Sequence, residues 1–211
     1  MSQDLLTLVQ WLSPAFPTGG FAYSHGMEAA IDAGAVRRPE DLRLWLDDVL
    51  ELGAGKQDAI LVAQALKPGA DHASLDALTR ALQISSERLS ETLDQGTAFA
   101  RTVSAVTGRT LPARCLPVAV GEAASGLRLE PVQVIELYLH AFIANLVSVA
   151  MRFMPLGQEA GQTVLSQLHP QIVRVAQEAV FAELDDLGSA ALGADMSALA
   201  HETMDVRIFR T

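Results

Sequence analysis

The chain has 211 residues, half of them hydrophobic but only 5% aromatic, and its 15 basic against 25 acidic residues give a formal net charge of −10. That charge opposes a phosphate backbone with no cation cluster to offset it, the lone Cys115 rules out an internal disulfide, and a start without a basic, apolar leader reads as cytoplasmic. A length that buries roughly 70% of the unfolded surface and a composition rich in Ala and Leu predict one all-α domain over residues 1–211.

Leu5, Leu8, Val9 and Leu12 fall at helical spacing and predict a first helix ending at Pro14. Residues 13–28 then hold two prolines, three glycines and three aromatics, which encode a fixed bent path more than a floppy connector. A helix restarts near Ser24, whose hydroxyl can cap it, with Glu28 near its positive end and Gly34 as its stop. Pro39 opens the next, with Leu42, Leu46, Val49 and Leu50 facing inward. Another spans residues 56–66 and is closed by Lys67, Pro68 and Gly69. Asp71 caps a helix running towards Ile84, and Ser85 caps a longer one to about Val106 that stops at Gly108.

After a turn-rich connector at 110–114, residues 117–126 predict a short helix. Glu130 and Pro131 start a long apolar one that breaks at Pro155. Its run 134–151 is apolar enough to suggest a membrane span, but Glu136, His140 and Asn145 interrupt it. The expectation is therefore the buried central helix of a soluble bundle, with no membrane involved. Helical character resumes at Gly157, breaks at His169 and Pro170, and runs on to about Leu187. A loop over 188–195 and a brief helix precede the tail, for a bundle of about ten helices around the apolar central one.

Ala22-x-Ser24-x-Gly26 approximates a nucleophile elbow, so a serine-dependent hydrolase using Ser24 and His25 is one alternative. That motif needs an incoming strand, whereas a proline-glycine loop enters here, which favours a helix-capping serine. The five histidines include no His-x-x-x-His pair, and Glu136 and His140, one turn apart, can satisfy each other. No metal site within one chain is expected, though histidines of two chains meeting at an interface stay open. Thr18-Gly19-Gly20 lacks the ending of a P-loop. In the tail, Val206, Ile208 and Phe209 alternate with Arg207 and Arg210, so apolar groups need burial while arginines offer forked hydrogen bonds. The tail docks on its own domain, on a partner, or on both.

The run Ser13-Pro14-x-x-Pro17-x-Gly19-x-Phe21-x-Tyr23-Ser24-x-Gly26-x-Glu28 resembles the N-terminal signature of the UreF family of urease accessory proteins. Arg152-Phe153-Met154-Pro155-Leu156-Gly157-Gln158 with Gly161-Gln162, and the tail from His201-Glu202-Thr203 to Arg207-Ile208-Phe209-Arg210-Thr211, are similar to the rest of its pattern. Ala22 stands where the family often has Ser, and Met204-Asp205-Val206 departs from its usual residues. The resemblance implies a non-catalytic scaffold that binds UreD (also called UreH), recruits the GTPase UreG and serves nickel insertion into the urease apoprotein. It implies a homodimer with no tightly bound cofactor, the nickel being handled by the complex.

By the same resemblance, Glu202, Arg207, Phe209 and Arg210 form the UreD side. The signature loop through Pro14, Pro17, Gly19, Phe21, Tyr23, Ser24 and Gly26 is what the tail packs against. Charge and rough family position put Glu28, Lys56, Asp58, Glu87 and Glu91 on the UreG side, and Arg152 and Gln158 near the dimer contact or nickel route. An unrelated helical adaptor is the remaining alternative.

Overall fold

A computed structural model describes residues 3–211, and among them every regular element is helical. The order is α1 (Gln3–Trp11), a 3-10 turn (Gly20–Ala22), α2 (Met27–Asp32), α3 (Pro39–Leu52), α4 (Ala54–Leu66), α5 (His72–Ala81) and α6 (Ser86–Thr107). There follow α7 (Leu116–Ala124), α8 (Pro131–Phe153), α9 (Gln158–Gln167), α10 (His169–Ala179), a second 3-10 turn (Leu184–Asp186) and α11 (Leu192–His201).

The caps read from sequence are in place. The Asp71 carboxylate accepts from the Ala73 and Ser74 amides at 3.1 and 3.0 Å, and Ser85 Oγ accepts from Arg88 N–H at 3.1 Å. Gly108 closes α6 at φ 73°, a left-handed position that glycine takes without steric penalty. Pro131 sits in the first turn of α8, whose end at Met154 is extended because the following Pro155 disfavours helix there.

The core gathers on α8, where Ile135, Leu139, Ile143 and Val149 are fully buried. They belong to one apolar cluster with Leu42 and Leu46 of α3, Ile60 of α4, Phe99 of α6 and Val175 of α10. Gly96 lets α6 approach the segment entering α7, since a Cβ there would overlap the carbonyl oxygen of Arg114.

Helix α8 meets the length and hydropathy of a membrane span, yet half of its most apolar window is buried in the core, as expected of a central helix, and Phe142, Asn145 and Ser148 line a cavity. Other expectations are corrected. On α1 the buried residues are Leu8 and Trp11, while Val9 is exposed. Helix α10 stops at Ala179, well before Leu187, because the chain is captured in another conformation: Gln64 Nε2 donates to the Ala182 carbonyl at 2.7 Å. Helix α11 begins inside the expected loop, after Ala190 N–H donates to the Leu52 carbonyl at 2.7 Å.

Candidate interaction site

The bend between α1 and α2 is held from both ends. Phe16 N–H donates to the Ser13 carbonyl at 2.9 Å, and the Phe16 ring packs 5.7 Å from that of Phe99. Gly19, at φ 78°, leads into the 3-10 turn. From α8, Asn145 Nδ2 donates to the Gly20 carbonyl at 3.1 Å and Arg152 Nη2 to the Phe21 carbonyl at 2.7 Å. Helix α2 starts at Met27, later than Ser24, but Ser24 Oγ still accepts from Glu28 N–H at 3.2 Å.

The tail folds back onto this bend. Arg210 N–H donates to the Ala22 carbonyl at 2.8 Å, and Ser24 N–H donates to the Thr211 oxygen at 2.9 Å. Ser24 Oγ donates to that same oxygen, and Thr211 Oγ1 donates to Glu91 Oε2 at 2.8 Å. Glu28 accepts the amides of Ile208 and Phe209 at 2.7 and 2.9 Å, and Arg207 pairs with Glu87. Phe209, only 5% exposed, packs its ring 6.3 Å from Phe153 and beneath the Arg152 guanidinium at 4.8 Å.

Electrostatics favour this docked arrangement. Burial, reinforced by the Asp94 carboxylate, pushes the Tyr23 phenol up to about 12, so it stays protonated and donates to Asp94 at 2.8 Å. Burial opposes the charge of Glu91, but the Arg88 guanidinium and His25 outweigh it and hold the carboxyl at about 2. Asp58 is pushed up to about 6 by burial, against the hydrogen bond that Tyr138 donates to it at 2.6 Å.

The residues expected together on a UreG-facing surface are not one face. Glu28 and Glu91 are buried and spent on the tail, where they accept from its amides and the Thr211 hydroxyl. Glu87 is half-buried between His201 and Arg207. Asp58 lines a cavity of about 530 Å³ beneath the bend, walled by Trp11, Phe16, Phe99 and Phe142. Lys56 lies in a separate groove with Glu51, Arg174 and Phe181. Glu202 caps α6, accepting from Ser86 Oγ at 2.6 Å and Glu87 N–H at 3.1 Å, and these bonds hold its carboxyl below the usual range. Gln158 is exposed at the start of α9.

Ser24 and His25 are not arranged as nucleophile and base. Ser24 is fully buried with its hydroxyl engaged by the tail, and the His25 ring packs 5.1 Å from Phe142 with its Nδ1 unpartnered, 3.7 Å from Glu91. Burial, with Arg88 nearby, pushes the His25 ring below its ordinary value. The His140 ring packs against that of His169, centroids 5.5 Å apart and planes tilted by 45°. Among the described residues no group of three or more His, Cys, Asp or Glu is placed to hold a metal ion. Reading the sequence missed His201, Asp94 and Asn145, whose partners lie more than a helix away along the chain, so no local spacing marks them. It also missed Arg88, although its i,i+3 spacing to Glu91 on α6 was a signal that could have found it.

Fold and site together define a class: an all-α protein whose C-terminal segment is clasped to a proline-glycine bend, forming one surface from two distant parts of the chain. A family model described as UreF matches residues 36–169. The chain is 59% identical over 211 residues to the urease accessory protein UreF of Cereibacter sphaeroides, covering all of both. It is 53% identical over 206 residues to that of Paracoccus denitrificans, covering 98% of this chain and 95% of the other. With that of Dinoroseobacter shibae the identity is 47% over 206 residues, 98% of each. The chain belongs to the UreF family of urease accessory proteins.

Proposed function

We propose that this chain is a non-catalytic, cytoplasmic scaffold for urease maturation that binds UreD/UreH through the joined surface of bend and tail. In this reading it recruits the GTPase UreG elsewhere, acts as a homodimer and serves nickel insertion into the urease apoprotein, with nickel as cargo and no resident cofactor. The observation that carries the reading is that Phe21, Val206 and Ile208 remain 68%, 81% and 71% exposed although the backbone around them is tied down. Apolar groups left in water on a pre-ordered frame favour a polypeptide partner, because little ordering entropy is lost on contact.

For UreG, the burial of Glu28 and Glu91 and the place of Asp58 on the cavity leave Lys56 and Glu87 as the expected residues available to a partner. Arg152 and Gln158, exposed on either side of Pro155, are assigned to the homodimer contact or the nickel route. The test is reconstitution of apourease with UreD, UreG, GTP and nickel, with and without this chain. Activation only in its presence is expected, and equal activation without it overturns the reading. Deleting residues 207–211 is expected to weaken UreD binding while leaving helix content intact, and unchanged binding would count against the tail assignment.

A further inference from the structure

His201, in the last turn of α11, is fully buried, and both of its ring nitrogens face carboxylates. Nδ1 lies 2.6 Å from Glu87 Oε2 and Nε2 lies 3.2 Å from Glu28 Oε2. A neutral imidazole has a single N–H, so one of these contacts would set a lone pair against a carboxylate; the doubly protonated ring donates to both. Arg207 pairs with the other oxygen of Glu87. Glu28 and Glu87 are thereby balanced by His201 and Arg207, and removing the charge of His201 leaves a carboxylate uncompensated in a buried place. The two carboxylates are also what the tail docks on, through the Ile208 and Phe209 amides and the Arg207 guanidinium.

We propose that His201, as a buried imidazolium, is the positioning residue that seats the C-terminal tail. The groups facing it are Glu28 from α2 and Glu87 from α6, with Arg207 of the tail reaching it through Glu87. One charge thus joins α2, α6 and α11 at the point where residues 207–209 attach. The clasp is ionic at its root, although Phe209 supplies its apolar contact. This inference concerns the chain alone and stands whether or not a partner reads the tail.

Two measurements on the full chain test it. Nitrogen-15 NMR of the His201 ring at neutral pH is expected to show both nitrogens protonated, and a neutral tautomer with one bare nitrogen would overturn the proposal. Amide exchange at Ile208 and Phe209 is expected to accelerate about tenfold or more in His201→Gln, with the α8 amides of Leu139 and Ile143 unchanged. His201→Lys, which keeps a cation beside both carboxylates and leaves Glu87 free to hold Arg207, is expected to keep exchange within about threefold of the parent. Unchanged exchange in His201→Gln, or equal acceleration in His201→Lys and His201→Gln, shows that shape and not charge seats the tail. The ring measurement needs no variant, so it decides the matter even if His201→Gln fails to fold.

Discussion

The Arg210 guanidinium lies 5.2 Å above the Tyr23 ring while Arg210 Nη1 donates to the Tyr23 hydroxyl at 2.9 Å, joining residues 187 positions apart. Tyr23 in turn donates to Asp94, which also pairs with Arg210 at 3.3 Å. Cation–π attraction at so exposed an arginine contributes about 0.5–1 kcal/mol, and the buried phenol loses its hydrogen bonds if truncated. Tyr23→Phe is expected to lower stability by about 1 kcal/mol and Arg210→Ala by a similar amount. Urea unfolding of the double variant should fall short of the sum, since the two share one interaction; full additivity would show that they act separately.

Phe209→Ala tests the apolar half of the clasp. Truncating a buried Phe costs about 3–5 kcal/mol when the site cannot rearrange. A chain end can open instead, so the expected result is loss of amide protection over residues 206–211 with the helical circular dichroism preserved. Retained protection would place the anchoring energy elsewhere.

Gly26→Ala addresses the packing of α2 on α11. Gly26 has φ 78°, and an added Cβ would come within 2.6 Å of the Ala198 amide nitrogen. The left-handed backbone alone costs about 1–2 kcal/mol for alanine, and the overlap adds to it. A loss of about 2 kcal/mol or more in thermal or urea unfolding is expected, with exchange rising along both helices.

The pH response follows from two carboxyls shifted in opposite directions. Asp58, raised from 3.8 to about 6, has a folded state that binds its proton more tightly, so its contribution to stability rises as pH falls through 6 towards 4. Glu91, lowered from 4.5 to about 2, contributes stability that is present above 4.5 and lost as pH falls towards 2. Asp58→Asn keeps an oxygen for Tyr138 and is expected to raise the Tm at about pH 7.5, by up to about 3 kcal/mol in stability, but not at about pH 4. An equal effect at both values would mean that Asp58 is not destabilised by its charge.

Much of the architecture was legible along the chain. Pro39 and Pro131 open α3 and α8, Asp71 and Ser85 cap α5 and α6, and Gly108 ends α6, because these effects act within one turn of helix. The early stop of α10 was not legible, since it depends on Gln64 capturing the Ala182 carbonyl from 118 positions away. The site shows the same division. The bend and the apolar, arginine-bearing tail were evident from composition, but Glu28 and Glu91 read as surface charges when in fact they are buried acceptors for that tail.

The sequence by itself determined that the protein is helical, where most helices begin, and which two segments are unusual, through periodicity, caps and backbone restriction. Only the tertiary structure decided that those segments meet, that His201 stands between Glu28 and Glu87, and that Ser24 binds the tail. Hydrogen bonds and ion pairs in a buried site depend on distances of a few ångströms between residues far apart in the chain. Those distances are set by how α2, α6 and α11 pack, and no local pattern of residues carries them.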